Sequence, residues 1–269
     1  MDFYGVVGEK LSHSLSPRIN NRLFELLGIE AAYKSFEIPK NDISKLGDSL
    51  KLLGIKGVNV TIPYKQEVLK DLDFIAPEAK AIGAVNTILL KDSKLYGYNS
   101  DYYGFGSMLK NSNIEVKGNI AVVLGAGGAA KAVMAYLFDE GVKEIYLVSR
   151  DKTSNVDVDN RAIRIDYDDL KNISGDILVN TTPVGMYPNV GKSPVSEEVI
   201  DKFKALIDLI YNPQWTEFLR IGKSLGKKTC GGLYMLVGQA IKSQEIWQNQ
   251  DIGKEVLNKI YEELEKEFS

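Results

Sequence analysis

Four short polar clusters carry the residue types from which a small-molecule site is built. They are Ser12-His13-Ser14-Leu15-Ser16-Pro17, Asn59-Val60-Thr61-Ile62-Pro63-Tyr64-Lys65, Gly83-Ala84-Val85-Asn86-Thr87 and Gly97-Tyr98-Asn99-Ser100-Asp101. Together they supply hydroxyls, carboxamides, one lysine and one aspartate, a set suited to a polyhydroxylated carboxylate. Three of them fall where a β-type segment meets a helical one, and ligands of open α/β sheets bind at the carboxyl ends of strands. A lysine beside a carboxylate can hold a proton and deliver it to a developing oxyanion. Lys65 and Asp101 are the candidates for that pair, with a plain surface ion pair as the alternative. Lys65 is expected in the first turn of a helix opened by Pro63, where the dipole disfavours a cation by about 0.3–1 kcal/mol. Asp101 is expected at a helix start, where the same dipole favours an anion.

A fifth cluster, Gly125-Ala126-Gly127-Gly128-Ala129-Ala130, follows the apolar run Ile120 to Leu124 and opens a helix. That is the context the G-x-G-x-x-G/A dinucleotide pattern requires. Gly125 permits the tight turn, Gly127 lets a pyrophosphate approach the backbone, and Ala130 keeps helix and strand close. The helix start offers free N–H groups to the anion. Without a ligand the same run is a tight strand–helix turn. After the next strand comes Ser149-Arg150-Asp151-Lys152. Arg150 and Lys152 suit the 2′-phosphate of NADP, while Asp151 would repel it or serve the 2′-hydroxyl of NAD. All three charges could also be solvated loop residues. NADP is the expected cofactor, with NAD as the alternative.

The elements that must position these groups follow from composition and pattern. The chain has 269 residues, 44% hydrophobic and 26% charged, with net charge -3. Its length corresponds to about 1.8 typical domains. High apolar content with little net charge excludes disorder as the dominant state. With 33 Lys and Arg against 36 Asp and Glu there is no basic footprint for nucleic acid. One cysteine, Cys230, excludes an intrachain disulfide and a Cys-built metal site; one histidine, His13, excludes a His cluster and most His-centred acid–base chemistry. No metal is expected. The first residues lack a signal-peptide pattern, and the run Ile120 to Ala130 is too short to span a bilayer, so a cytoplasmic protein off the membrane is expected.

Short β-like runs alternate with amphipathic segments, which predicts an α/β protein. FYGVVG reads as a strand, followed by a helix with Ser16 as N-cap, Pro17 in its first turn and Gly28 as its stop. AAYKSFEI and KGVNVTI read as strands around a helix near Asn41 to Leu53, and a short helix precedes Gly83. AVNTILL and KLYGYN, joined by Asp92-Ser93, predict a hairpin at a sheet edge. A second unit starts after Ser100, the expected cap of the helix DYYGFGSMLKN, and holds a βαβ unit from Ile120 through KEIYLVSR. DILVNTT and ALIDLIY are further strands, and Met235 to Phe268 reads as one long helical segment.

Taken in order, these clusters resemble the shikimate dehydrogenase family. HSxSP, NVTxPxK, GAVNT and N[TS]DxxGF are matched, the last by Asn99 to Phe105, and LGAGGAAKA, NTTPVGM, DLIYNPQWT and GGLYMLVGQA follow. The resemblance runs from about Val7 to Gln239. It implies an N-terminal α/β substrate domain over 1–101, completed by C-terminal helices within 239–269. A Rossmann-type NADP-binding domain would occupy 102–238, with a cleft between the two. It matches Ser14 and Ser16 to hydroxyls that hold a substrate carboxylate, and Thr61, Asn86, Asp101, Tyr211 and Gln239 to other substrate contacts. Lys65 and Asp101 match the catalytic pair. Gly125, Ala126, Gly127, Gly128, Ala129, Ser149, Arg150, Lys152, Leu209 and Gly232 match cofactor positions. The implied activity is reversible NADPH-dependent reduction of 3-dehydroshikimate to shikimate, in chorismate and aromatic amino-acid biosynthesis, by a monomer or homodimer.

Alternatives remain at this stage. One is a quinate/shikimate dehydrogenase using NAD; another is a non-catalytic NAD(P)-binding sensor, against which the retained Lys65 and Asp101 speak. The HSLSP and GAVNT clusters argue against a folate-type relative. The chain departs from the family pattern at Asn20, where His is common, at Ser100, where Thr is common, and at Ser149-Arg150-Asp151, where Asn-Arg-Thr is common. Tyr211 could instead cap a strand, and Gln239 could be an ordinary polar residue at a helix start.

Overall fold

The run FYGVVG forms the strand β1 (Asp2–Gly8), whose last five residues are buried. A helix α1 (Ser16–Leu27) follows, then β2 (Ala31–Glu37), a 3-10 segment (Lys40–Lys45) leading into α2 (Leu46–Leu53), and β3 (Gly57–Val60). Next come β4 (Phe74–Ile75), α3 (Pro77–Ile82), β5 (Thr87–Lys91) and β6 (Lys94–Tyr98). These strands make one sheet in the order β2-β1-β3-β5-β6-β4. The first three run parallel and the β5–β6 hairpin returns antiparallel to β3. Its turn residues Asp92 and Ser93 both have positive φ, 50° and 60°, matching the twist a two-residue hairpin needs. The hairpin is not at the edge, contrary to expectation. The two-residue β4 pairs parallel with β6 and takes that place, and it is too short to carry a strand pattern.

The second sheet is built from β7 (Ile120–Leu124), β8 (Glu144–Val148), β9 (Ile163–Ile165), β10 (Ile177–Asn180), β11 (Ala205–Asp208) and β12 (Lys228–Gly231). All its pairs are parallel and the order is β12-β11-β10-β7-β8-β9. Read from the other edge this is the 3-2-1-4-5-6 order of a dinucleotide fold, with its reversal between β7 and β10. The helices are α4 (Ser100–Asn111), α5 (Gly128–Asp139), α6 (Tyr167–Leu170), α7 (Glu197–Ile200), α8 (Glu217–Ser224), α9 (Leu233–Gln248) and α10 (Lys254–Phe268). The expected single helix from Met235 to Phe268 is two, because Asn249 turns left-handed at φ 50° and ends α9. No helix among the described residues is long and apolar enough to cross a membrane.

The computed structural model describes residues 1–150 and 159–268. It divides into two compact units, Met1–Tyr103 with Val237–Glu262, and Gly104–Leu236 with the chain from Glu263 on. The α/β architecture expected from the alternating pattern is the one found. In the first unit Tyr4, Phe24, Tyr33 and Trp247 form an aromatic core, with the Tyr4 and Trp247 rings 5.0 Å apart. Trp247 also donates from its indole nitrogen to the Ile88 carbonyl at 3.0 Å. Gly57 faces that indole so closely that a Cβ would overlap it. Gly57→Ala is therefore expected to destabilise the fold by about 1–3 kcal/mol through overpacking. An unchanged urea midpoint would show that the strand and indole can separate freely.

Candidate functional site

Lys65 lies beyond the carboxyl end of β3, in the turn Ile62 to Gln66, and the next helical segment is a short 3-10 stretch, Glu67–Asp71. The expected helix opened by Pro63 is absent because the Lys65 carbonyl accepts from the Val85 N–H at 2.8 Å, a partner outside the segment. The dipole effect expected on Lys65 falls with it. Its ammonium donates to Asp101 Oδ2 at 2.5 Å, and both side chains are only partly exposed, 25% and 17%. Asp101 stands in the first turn of α4, as expected. Ser100 does not cap that helix. Asn99 Oδ1 accepts from the Tyr102 N–H at 3.4 Å, and the Ser100 hydroxyl is turned into a buried network.

That network fixes the orientation of Asn86. The Ser100 backbone N–H can only donate, and it meets Asn86 Oδ1 at 2.7 Å; the hydroxyls of Thr87 and Ser100 reach the same oxygen at 3.0 and 3.1 Å. The oxygen is thereby settled, and the amide NH2 points away from these three donors. Behind it, Asn59 donates to Ser243 Oγ at 2.8 Å and to Thr87 Oγ1 at 3.1 Å, while Tyr33 donates to Asn59 Oδ1 at 2.7 Å. Tyr33 also bonds the Ser16 side chain. Ser16 is thus the first residue of α1, with Leu15 as the cap, and its hydroxyl is not the cap that was expected. Ser14 Oγ accepts from the Ser16 N–H at 3.3 Å. Gln239 reaches the network through Ser100 at 3.4 Å; it is buried in the middle of α9 and not at a helix start. Asn20, where the family has His, is fully buried and bonds the Ser16 carbonyl and Gln244. Thr61 closes β3, its N–H donating to the Val7 carbonyl. His13 is exposed.

In the second unit, Gly125, Ala126, Gly127, Ser149 and Arg150 line one cavity of about 590 Å³, a volume ordinary for a small-molecule site. Gly125 has φ 96°, and a Cβ there would stand 2.9 Å from Thr182 Cγ2. Gly127 caps α5 and Gly128 is its first residue; a Cβ on either would meet nothing within 4 Å. The helix start thus opens onto free space with no side-chain cap, which suits a pyrophosphate. Gly128 and Ala129 supply its first N–H groups. Tyr167, Thr181, Thr182, Pro183 and Val184 complete the lining, none of them assigned to the site from sequence. The NTTPVGM segment was visible as a motif; Tyr167, opening α6, gave no sequence signal. Lys152 and Asp151 lie outside the described residues. Leu209 and Gly232 sit against each other, since a Cβ on Gly232 would run into the Leu209 carbonyl. Tyr211 packs its ring 6.2 Å from Phe268, and burial raises its hydroxyl pKa. Burial pushes the Cys230 thiol pKa up to about 11, against a hydrogen bond from the Ser112 hydroxyl, and makes the thiol inert.

Asp208, the last residue of β11, is fully buried and its pKa is pushed up to about 6 by that burial, against hydrogen bonds from Thr216, Ile210 and Asn180. The folded state then holds a proton between pH 4 and 6 that the unfolded carboxyl has released, so stability falls as pH rises through that window. The effect is up to about 3 kcal/mol at 1.36 kcal/mol per pH unit. Urea midpoints of the natural protein and Asp208→Asn, compared from pH 4 to 7, are expected to diverge in that sense and run parallel above pH 6. Parallel curves throughout would mean that the carboxyl does not titrate there.

Known proteins share this fold. The model of the shikimate dehydrogenase substrate binding domain matches residues 6–88. A curated relative from Clostridium beijerinckii, named shikimate dehydrogenase (NADP(+)), is 59% identical over the full length of both chains. The crystal structure of shikimate dehydrogenase 1 from Peptoclostridium difficile superposes with a TM-score of 0.91 at 62% identity, covering 100% of this chain and 99% of that one. The Thermus thermophilus enzyme, solved with NADP(H) and shikimate, gives 0.88 at 32% identity over 98% and 99%.

Proposed function

The chain belongs to the shikimate dehydrogenase family, and from that premise we propose that it catalyses the reversible NADP-dependent interconversion of 3-dehydroshikimate and shikimate. The single observation that carries the chemistry is the 2.5 Å contact between the Lys65 ammonium and Asp101 beside the buried Asn86 network. The first unit is the substrate domain in this reading and the second the cofactor domain. Bound NADPH supplies the hydride. Lys65 delivers the proton to the oxygen that becomes the hydroxyl, and Asp101 orients Lys65 by accepting one of its N–H bonds. Asp101, Thr61 and the NH2 of Asn86 bind substrate hydroxyls, while Ser14 and Ser16 donate to the carboxylate. Tyr211 and Gln239 complete the substrate contacts. The glycine turn, the start of α5, Ser149 and Arg150 hold the pyrophosphate and adenosine end, with Lys152, Leu209 and Gly232 as further cofactor positions.

Adding shikimate to enzyme and NADP is expected to raise absorbance from NADPH; no signal would remove this reading and leave a cofactor-binding sensor. A second reading is a quinate/shikimate dehydrogenase using NAD, and its use of NAD is favoured by one observation, the carboxylate of Asp151 next to Arg150 in the sequence. Equal or better efficiency with NAD and quinate in a steady-state comparison would establish it. The single buried Cys230 suits a reducing compartment, so the proposal places the enzyme in the cytoplasm.

A further inference from the structure

Asp208 takes no part in the chemistry above, yet it is a fully buried carboxyl. Its Oδ1 accepts from the side-chain amide of Asn180 at 3.0 Å and from the Ile210 N–H at 3.1 Å, and its Oδ2 accepts from the Thr216 hydroxyl at 2.7 Å. All three partners act as donors, and no ion pair to it occurs among the described residues. Asn180 and Asp208 are register partners at the carboxyl ends of β10 and β11. With its NH2 turned to Asp208 and, at 3.5 Å, to the Val184 carbonyl, Asn180 turns its oxygen the other way, where it accepts from the Thr182 N–H at 3.0 Å and the Thr182 hydroxyl at 2.7 Å. Thr182 is wall of the cofactor cavity and touches the space next to Gly125, and Thr181 donates to the Leu124 carbonyl at 2.7 Å.

From this chain of bonds we infer that Asp208 is a positioning residue for the dinucleotide cavity: through Asn180 it sets the loop Thr181 to Val184 against the glycine turn. The inference rests on the proposed use of NADP at that cavity. The Thr182 N–H and the Val184 carbonyl ask for the same orientation of the carboxamide, and the buried acceptor on β11, with the shorter bond to its NH2, reinforces it. An apolar residue at 208 would leave the Asn180 NH2 with only the long 3.5 Å bond to the Val184 carbonyl, and the Ile210 N–H and Thr216 hydroxyl without this acceptor.

The test is a fluorescence titration of NADPH on the purified full chain, with shikimate binding measured separately by calorimetry. Asp208→Ala and Asn180→Ala are each expected to raise the NADPH Kd about tenfold while shikimate affinity stays within twofold. The double variant is expected to be no worse than either single, because both cut the same link. Asp208→Asn keeps an oxygen toward both N–H donors and is expected to restore the Kd to within threefold of the natural protein. Should Asp208→Ala fail to fold, the smaller changes Asn180→Ala and Asp208→Asn carry the comparison. A lowered urea midpoint with unchanged NADPH Kd in the folded variants would overturn the inference, as would additive effects in the double variant. If the natural protein itself does not bind NADPH, it is the use of NADP that fails, a result distinct from either.

Discussion

Lys65→Ala is expected to lower turnover by about 10²-fold or more, the range that a positioned general acid contributes. The reasoning starts from the alkoxide that forms when a ketone takes up hydride. That charge needs a donor in place as it develops, since a water molecule recruited later would have to reorganise in the transition state. The Lys65 ammonium is partly shielded from solvent and held at 2.5 Å by Asp101, so its remaining N–H groups are pre-oriented. With a single, exposed histidine in the chain, no imidazole stands ready to replace it. NADPH affinity should stay within twofold, because the glycine turn, Ser149 and Arg150 belong to the other unit. Asp101→Asn should also impair turnover, and it should weaken shikimate binding as well, since Asp101 is proposed to hold a substrate hydroxyl. Turnover of Lys65→Ala within threefold of the natural protein would remove Lys65 from the proton transfer.

Much of this was legible because the decisive signals are local. The glycine turn declares itself by spacing between an apolar strand and a helix, and Asp92-Ser93 between two β-type runs declares a hairpin. What could not be read depends on partners distant in the chain. Pro63 looks like a helix start until Val85 claims the Lys65 carbonyl, and Ser100 looks like a cap until Asn86 claims its hydroxyl. Tyr33 lies in an ordinary strand, and only folding brings it to both Ser16 and Asn59. Gln239 was assigned a plausible role at an incorrect place, because α9 starts six residues earlier, at Leu233. Short parallel strands such as β9 and β12 have three and four residues, too few to show a period.

Gly125→Ala is expected to weaken NADPH binding at least tenfold while leaving shikimate binding intact. Two independent costs meet at this residue. Its φ of 96° lies where L side chains are strained, at about 1–3 kcal/mol for a residue forced to stay there. The added methyl would also stand 2.9 Å from Thr182 Cγ2 and 3.1 Å from Thr181 Oγ1. Neither neighbour can retreat cheaply, since Thr181 is tied to the Leu124 carbonyl and Thr182 to Asn180 and, behind it, Asp208. The chain must then either hold a strained turn or push the threonine wall away from the cavity, and both displace the N–H groups proposed to hold the pyrophosphate. At 1.4 kcal/mol per factor of ten, strain of that size corresponds to roughly five- to 150-fold where the free turn relaxes and binding must restore it. Because the strain would also be felt without ligand, part of it will appear as a lower urea midpoint, which separates it from the loss of affinity. An NADPH Kd within threefold of the natural protein would mean that the dinucleotide does not lie against this turn.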